Sequence, residues 1–91
     1  MPTTPMTDIH GNIGRDQFIV TGPHFMAYKS HKTVIAKITT EFNERIVYLD
    51  REKWNHSKTV SKYRDVFLGE TKAETEEKIK SGKYRMINLN G

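Results

Sequence analysis

The run Arg45-Ile46-Val47-Tyr48-Leu49-Asp50, followed by Val60-Ser61-Lys62-Tyr63-Arg64-Asp65-Val66-Phe67-Leu68-Gly69, contains the change of period that decides the fold. Residues 45–49 form a short apolar stretch rich in β-branched and aromatic side chains, the pattern of a strand. After Asp50 the spacing changes. Val60, Tyr63, Phe67 and Leu68 fall at i, i+3, i+7 and i+8, which is one stripe of a helix. Ser57 or Thr59 can cap its start through a hydroxyl oxygen, and Gly69 can adopt the left-handed backbone that ends it.

Working back from this switch, Val34, Ala36 and Ile38 alternate with Thr33, Ile35, Lys37 and Thr39, the period of a half-buried strand. Phe25 to Ser30 reads as its partner around a turn at Ser30-His31-Lys32. Phe18-Ile19-Val20 begins another strand, ended by Gly22-Pro23, and Glu41 to Glu44 makes a turn. Residues 1–15 are rich in Thr, Pro, Gly and Asn and read as a flexible N-terminal arm, with Ile9 and Ile13 as its anchor points. Working forward, Thr71 and Glu74 have the spacing of a capping box. Glu74–Lys78 and Glu76–Lys80 are i,i+4 pairs in the favourable order, and Gly82 is placed to follow the helix end. Only Ala73 and Ile79 are apolar here, so this second helix reads as a surface helix, and Tyr84 to Leu89 returns as a strand. The expected architecture is α+β: an antiparallel β-meander of three to four strands followed by two short helices and a final strand, forming one domain over residues 16–91.

Composition agrees with that reading. Ninety-one residues leave room for one core. Ile and Val outnumber Leu, a balance that favours strands over a helix bundle. There is no cysteine, so disulfide frameworks, thiolate metal sites and cysteine nucleophiles are excluded. No apolar run approaches the roughly 18 residues of a membrane helix, and the N-terminus lacks a signal peptide's apolar stretch, so the sequence reads as a soluble intracellular protein with no membrane partner.

The net charge of +4 is unevenly distributed. Residues 1–50 balance. Residues 51–64 carry Arg51, Lys53, Lys58, Lys62 and Arg64 against Glu52, residues 65–77 are acidic, and residues 78–85 are basic again. A basic block can meet phosphate or an acidic protein face. Trp54 and His56 lie inside the first block, where an aromatic could stack on bases or, equally, close the sheet against the helix.

The motifs for chemistry are weak. His10, His24, His31 and His56 have no helical i,i+4 pair, so they read as loop histidines rather than metal ligands, with His31 on a hairpin tip. Ser57 beside His56 is sequence adjacency, without the strained turn that exposes a nucleophilic serine. Gly11-Asn12-Ile13-Gly14 matches a GxxG loop but lacks the flanking helices such a loop needs. Two helices meeting at Gly69-Glu70 suggest a helix-turn-helix, but Glu70, Glu74, Glu76 and Glu77 would repel phosphates. No catalytic residue, metal or cofactor is expected.

Trp54-Asn55-His56-Ser57-Lys58-Thr59, Ser61-Lys62-Tyr63, Phe67-Leu68-Gly69-Glu70 and Lys78-Ile79-Lys80-Ser81-Gly82 resemble a family of small phage and prophage proteins of unknown function. In that pattern a second Thr stands where this chain has Val60. The resemblance covers roughly residues 46–90. It implies a non-enzymatic phage accessory protein that acts in the host cytoplasm. Such a protein binds a host protein or protein–nucleic acid complex, for instance as a counter-defence inhibitor of the anti-CRISPR type. The binding face expected from the basic block is Arg51, Lys53, Trp54, His56, Lys58, Lys62 and Arg64. The alternative is a small nucleic-acid-binding module using the same face. A third reading is a homo-oligomer formed through an exposed sheet edge.

Overall fold

The alternating apolar residues assemble into one sheet. A computed structural model describes residues 3–8 and 10–90. Its elements in chain order are β1 (Thr3–Thr7), β2 (Ile13–Gly22), β3 (Phe25–Ser30), β4 (Thr33–Glu41), β5 (Glu44–Asp50), α1 (Lys58–Leu68), α2 (Lys72–Lys80) and β6 (Arg85–Ile87). The strands lie in the sheet in sequence order, β1 to β6. Neighbours are antiparallel except β5 and β6, which are parallel. A parallel pair needs a long crossover, and α1 and α2 supply it.

The α+β class, the helices and the final strand are as the sequence implies, but the sheet has six strands where the meander was expected to have three or four before the final one. The additional strand is β1, in the segment read as an arm. Thr3 and Thr4 pair with Val20 and Ile19, and Met6 is buried at 2% exposure. The low β-propensity of the segment conceals this, because a single buried methionine drives it and Pro5 needs no ladder donor on an edge strand. Ile13 does not anchor the segment; it is 74% exposed. Ile9 lies outside the described residues.

The strict alternation expected in β4 is also broken. The register shifts between Tyr28 and Lys29, so Ile35 and Ala36 are both fully buried while Val34 pairs with Lys29 on the opposite face. An extra residue in one strand of a pair moves every later side chain across the sheet. Elsewhere the turns are local and legible. His31 has φ 55, and Phe42 and Asn43 have φ 52 and 65, the left-handed backbone that two-residue hairpin loops require.

Helix caps follow the sequence closely. The Ser57 hydroxyl accepts from the Val60 N–H at 3.1 Å, and Gly69 ends α1 with φ 70. Thr71 and Glu74 form the reciprocal capping box, and Gly82, at φ 80, follows the Ser81 cap. The core lies between the helices and one sheet face. Met6, Tyr28, Ile35, Val60 and Tyr63 form one cluster; Ala36, Val47, Leu49, Leu68 and Tyr84 form the other. Phe67 packs against both, and Trp54 packs against the second. The buried Tyr28 hydroxyl donates to Gln17 Oε1 at 2.5 Å, and burial raises its pKa to about 12.

Gly14 lies beneath the ring of Tyr63. A Cβ there would stand 2.5 Å from the Tyr63 hydroxyl oxygen and Cζ. Gly14→Ala is therefore expected to lower unfolding free energy by about 1–3 kcal/mol through overpacking. At Gly11 a Cβ meets open space, so Gly11→Ala should cost about 1 kcal/mol or less, from its φ of 80 alone. Urea unfolding of both variants checks the order.

Candidate functional site

The turn after β5 is built around a buried carboxylate. Asp50 is 3% exposed and accepts four hydrogen bonds. Its Oδ2 receives the N–H groups of Glu52 and Lys53 at 3.2 and 2.9 Å. Its Oδ1 receives the Leu89 N–H at 2.8 Å and the Asn90 amide at 3.1 Å. Burial pushes this carboxyl up, but the four donors outweigh it and hold the pKa below the ordinary aspartate value. The Asn90 side chain also pairs with both backbone groups of Val34. Asp50 thus joins the end of β5, the basic turn and the C-terminal segment.

The sequence-predicted face does not assemble as one surface. Arg51, Lys53 and Lys58 are exposed, and among the described residues none of them enters an ion pair. His56 is exposed beside them, with Nδ1 3.1 Å from the Lys53 carbonyl. Lys62 is half-exposed, but its ammonium lies 3.2 Å from Asp8 Oδ2 and 5.3 Å from the Tyr63 ring centre. The Asn12 N–H bonded to Asp8, together with Lys62 and the His10 N–H, lowers the Asp8 pKa to about 2.

Arg64 requires a correction: its side chain is fully buried. Nη1 donates to the Trp54 carbonyl at 2.7 Å and to Asn55 Oδ1 at 3.2 Å. Nη2 donates to Ser61 Oγ at 3.1 Å and Asp65 Oδ1 at 3.0 Å. The guanidinium lies 5.1 Å from the Trp54 ring centre. A visible signal marked it. Arg64 is four residues after Val60 and four before Leu68, in the middle of the apolar stripe of α1. Trp54 is partly buried as its stacking partner. Arg64 is thereby enclosed, while Trp54 keeps a partly exposed ring that lines a shallow cleft with Asn55, Glu76, Ile79 and Lys80.

The residues after α1 are equally structural. Glu70 accepts from Tyr84 Oη, from Thr75 Oγ1 at 2.8 Å and from Lys78 Nζ at 3.1 Å. Burial raises its pKa, but these donors overcome that and keep the carboxyl ionised below its ordinary value. An open groove of about 770 Å³ is lined by His10, Lys62, Asp65, Val66, Gly69, Glu70 and Thr71. Its charged groups are already paired with Asp8, Arg64 and Lys78. No group of three metal-ligating side chains occurs among the described residues, and none of their helices is long and apolar enough to cross a membrane.

One surface was missed by the sequence reading. The sheet face away from α1 carries three transverse rows set by the register: Phe18–Lys29–Val34, Val20–Ala27–Lys37–Tyr48–Arg85 and Phe25–Thr39–Ile46. Apart from the buried Ala27, the residues of these rows keep part of their surface exposed. The alternation of Phe18 and Val20, and of Lys37 and Thr39, hinted at such a face. Its rows depend on a register that only the folded sheet defines.

Arg64→Ala should lower unfolding free energy by about 2–4 kcal/mol, because it opens a cavity and leaves the Trp54 carbonyl without its donor. Arg64→Lys should retain most of that loss, since an ammonium cannot reproduce the planar fork. Urea unfolding measures both. Asp8, Asp50 and Glu70 all have lowered folded-state pKa values, so their stabilisation is present above the ordinary carboxylate range and is lost as pH falls through the folded values. Unfolding midpoints should therefore be level near neutrality and fall from about pH 4 towards pH 2. Asp50→Asn should start lower and fall less steeply.

Comparison of the chain with known protein families, with curated proteins and with solved structures returns no match.

Proposed function

We propose that the chain is a non-enzymatic phage accessory protein that binds a host macromolecule in the host cytoplasm, as a counter-defence inhibitor of the anti-CRISPR type. The binding surface is the turn bearing Arg51, Lys53 and His56 together with Lys58 at the start of α1. The observation that carries this reading is the exposure of Arg51 and Lys53 on a turn whose Glu52 and Lys53 N–H groups are held by Asp50, with Lys58 exposed at the start of α1. A preorganised charged surface loses little entropy on binding. The first turn of α1 contains no acidic residue, so the positive end of the helix dipole adds to the same field. Glu52 is the one acid within the turn. The partner is then an acidic surface of a host defence complex.

A nucleic-acid-binding module is the second reading, favoured by the same combination of cations and helix N-terminus. Duplex binding through this turn would weaken steeply with salt, by about 0.9 in log–log slope for each phosphate.

The test is a plating assay in a bacterial strain with active CRISPR interference against an infecting phage. Expression of the chain should restore plaques, and the Arg51→Gln, Lys53→Gln, Lys58→Gln triple variant should not. These positions are exposed, so the variant should keep the wild-type melting temperature to within a few degrees. Restoration by neither protein contradicts the counter-defence reading. Restoration by both contradicts the surface.

A further inference from the structure

The open face of the sheet has a composition that its position does not require. A solvent-facing sheet surface ordinarily alternates polar residues against the buried face. Here Phe18, Val20, Phe25, Val34, Ile46 and Tyr48 lie together and each keeps part of its surface in solvent, less than about a third. Three cations lie among them: Lys29, Lys37 and Arg85.

The aromatics and cations occur as pairs. Phe18 and Lys29 are directly opposite in the β2–β3 register. Lys37 Nζ lies 5.0 Å from the Phe25 ring centre. The Arg85 guanidinium lies 5.9 Å from the Tyr48 ring centre, and the two residues are register partners across β5 and β6. Tyr48 is held by its hydroxyl, which donates to Glu41 Oε2 at 3.2 Å, and Thr39 donates to the same oxygen at 3.1 Å. The acids on this face are Glu41 and Glu44 at the β4–β5 turn end and, at the far end of β5, Asp50, which is buried and already accepts four hydrogen bonds.

From these three pairs we propose that the open sheet face binds single-stranded nucleic acid, about three nucleotides long, one at each aromatic–cation pair. A nucleotide presents a flat base and an anionic phosphate one backbone unit apart. A base stacks on the ring while the cation turns from the ring to the phosphate, so both members of each pair are satisfied. An acidic peptide would satisfy the cations but leave the three rings unstacked. A duplex keeps its bases inside and cannot reach the rings. This surface adjoins the Arg51–Lys58 turn at β6, where Arg51 donates to the Met86 carbonyl at 3.4 Å, but it uses different side chains, so substitutions distinguish the two proposals.

The test is fluorescence anisotropy with a dye-labelled ten-nucleotide oligo(dT) and the whole chain at about 50 and 200 mM salt. Binding in the micromolar range is expected, weakening about twentyfold between the two salt concentrations, as three phosphate contacts on a single strand predict. Phe25→Leu and Tyr48→Leu should each weaken binding about fivefold or more through lost stacking. Lys29→Gln, Lys37→Gln, Arg85→Gln together should flatten the salt dependence. Because these side chains are outside the core, circular dichroism should show the wild-type fold in each variant, and a variant that fails this check is replaced by the salt measurement on the wild type.

Four results would overturn the proposal. These are no binding at the lower salt, tighter binding of a duplex or of poly-glutamate than of oligo(dT), binding unchanged in the leucine variants, or binding lost only in the Arg51, Lys53 and Lys58 variant.

Discussion

A guanidinium buried between α1 and the turn before it constrains much of the rest of the molecule. Arg64 has no exposed surface, yet it carries a charge that must be satisfied inside the fold. It is satisfied by a carbonyl, an amide oxygen, a hydroxyl and a carboxylate drawn from Trp54, Asn55, Ser61 and Asp65. Its Nε has no partner among the described residues. Such an arrangement adds little net stability over an apolar replacement, but it is directional. It fixes the Trp54 backbone against the helix, and so fixes where the exposed turn stands. Asp50 does the same from the other side, through the sheet. The turn between them is held at both ends.

Most of the side chains between Trp54 and Tyr84 serve the fold. Trp54 stacks on Arg64, Ser57 caps α1, Lys62 pairs with Asp8, and Tyr63 covers Gly14. Leu68 is core, Gly69 ends the helix, and Glu70 ties Thr75, Lys78 and Tyr84 together. Few of these side chains are free to touch a partner. The side chains without such structural roles are the exposed cations of the turn and the aromatic and basic residues of the second sheet face.

What could be read from the sequence divides along the range of the forces involved. Helix starts and ends were legible because capping is local: a hydroxyl or a glycine acts on a backbone group a few residues away. The hairpin turn at His31 was legible for the same reason. β1 was not, because the Met6 side chain gains its stability from Tyr28, Ile35, Val60 and Tyr63, all distant in sequence. The bulge that buries both Ile35 and Ala36 breaks a period that the sequence presents as regular. In the candidate site the basic turn was legible as charge, since Arg51, Lys53 and Lys58 are indeed exposed. Arg64 belongs to the basic block by its charge, but its place on the apolar stripe of α1, midway between Val60 and Leu68, carries it into the interior. The aromatic–cation pairs of the open face could not be seen at all, since each joins residues from two strands.

The interior position of Arg64 can be measured. Its guanidinium protons, observed in a nitrogen–proton NMR spectrum at neutral pH, report on it directly. Buried, doubly bonded Nη groups should exchange slowly and give separate resonances assigned to Arg64, while those of Arg51 and Arg85 are lost to rapid exchange with water. Arg64 resonances that vanish as fast as those of Arg51 would place the side chain in solvent and return it to the binding face.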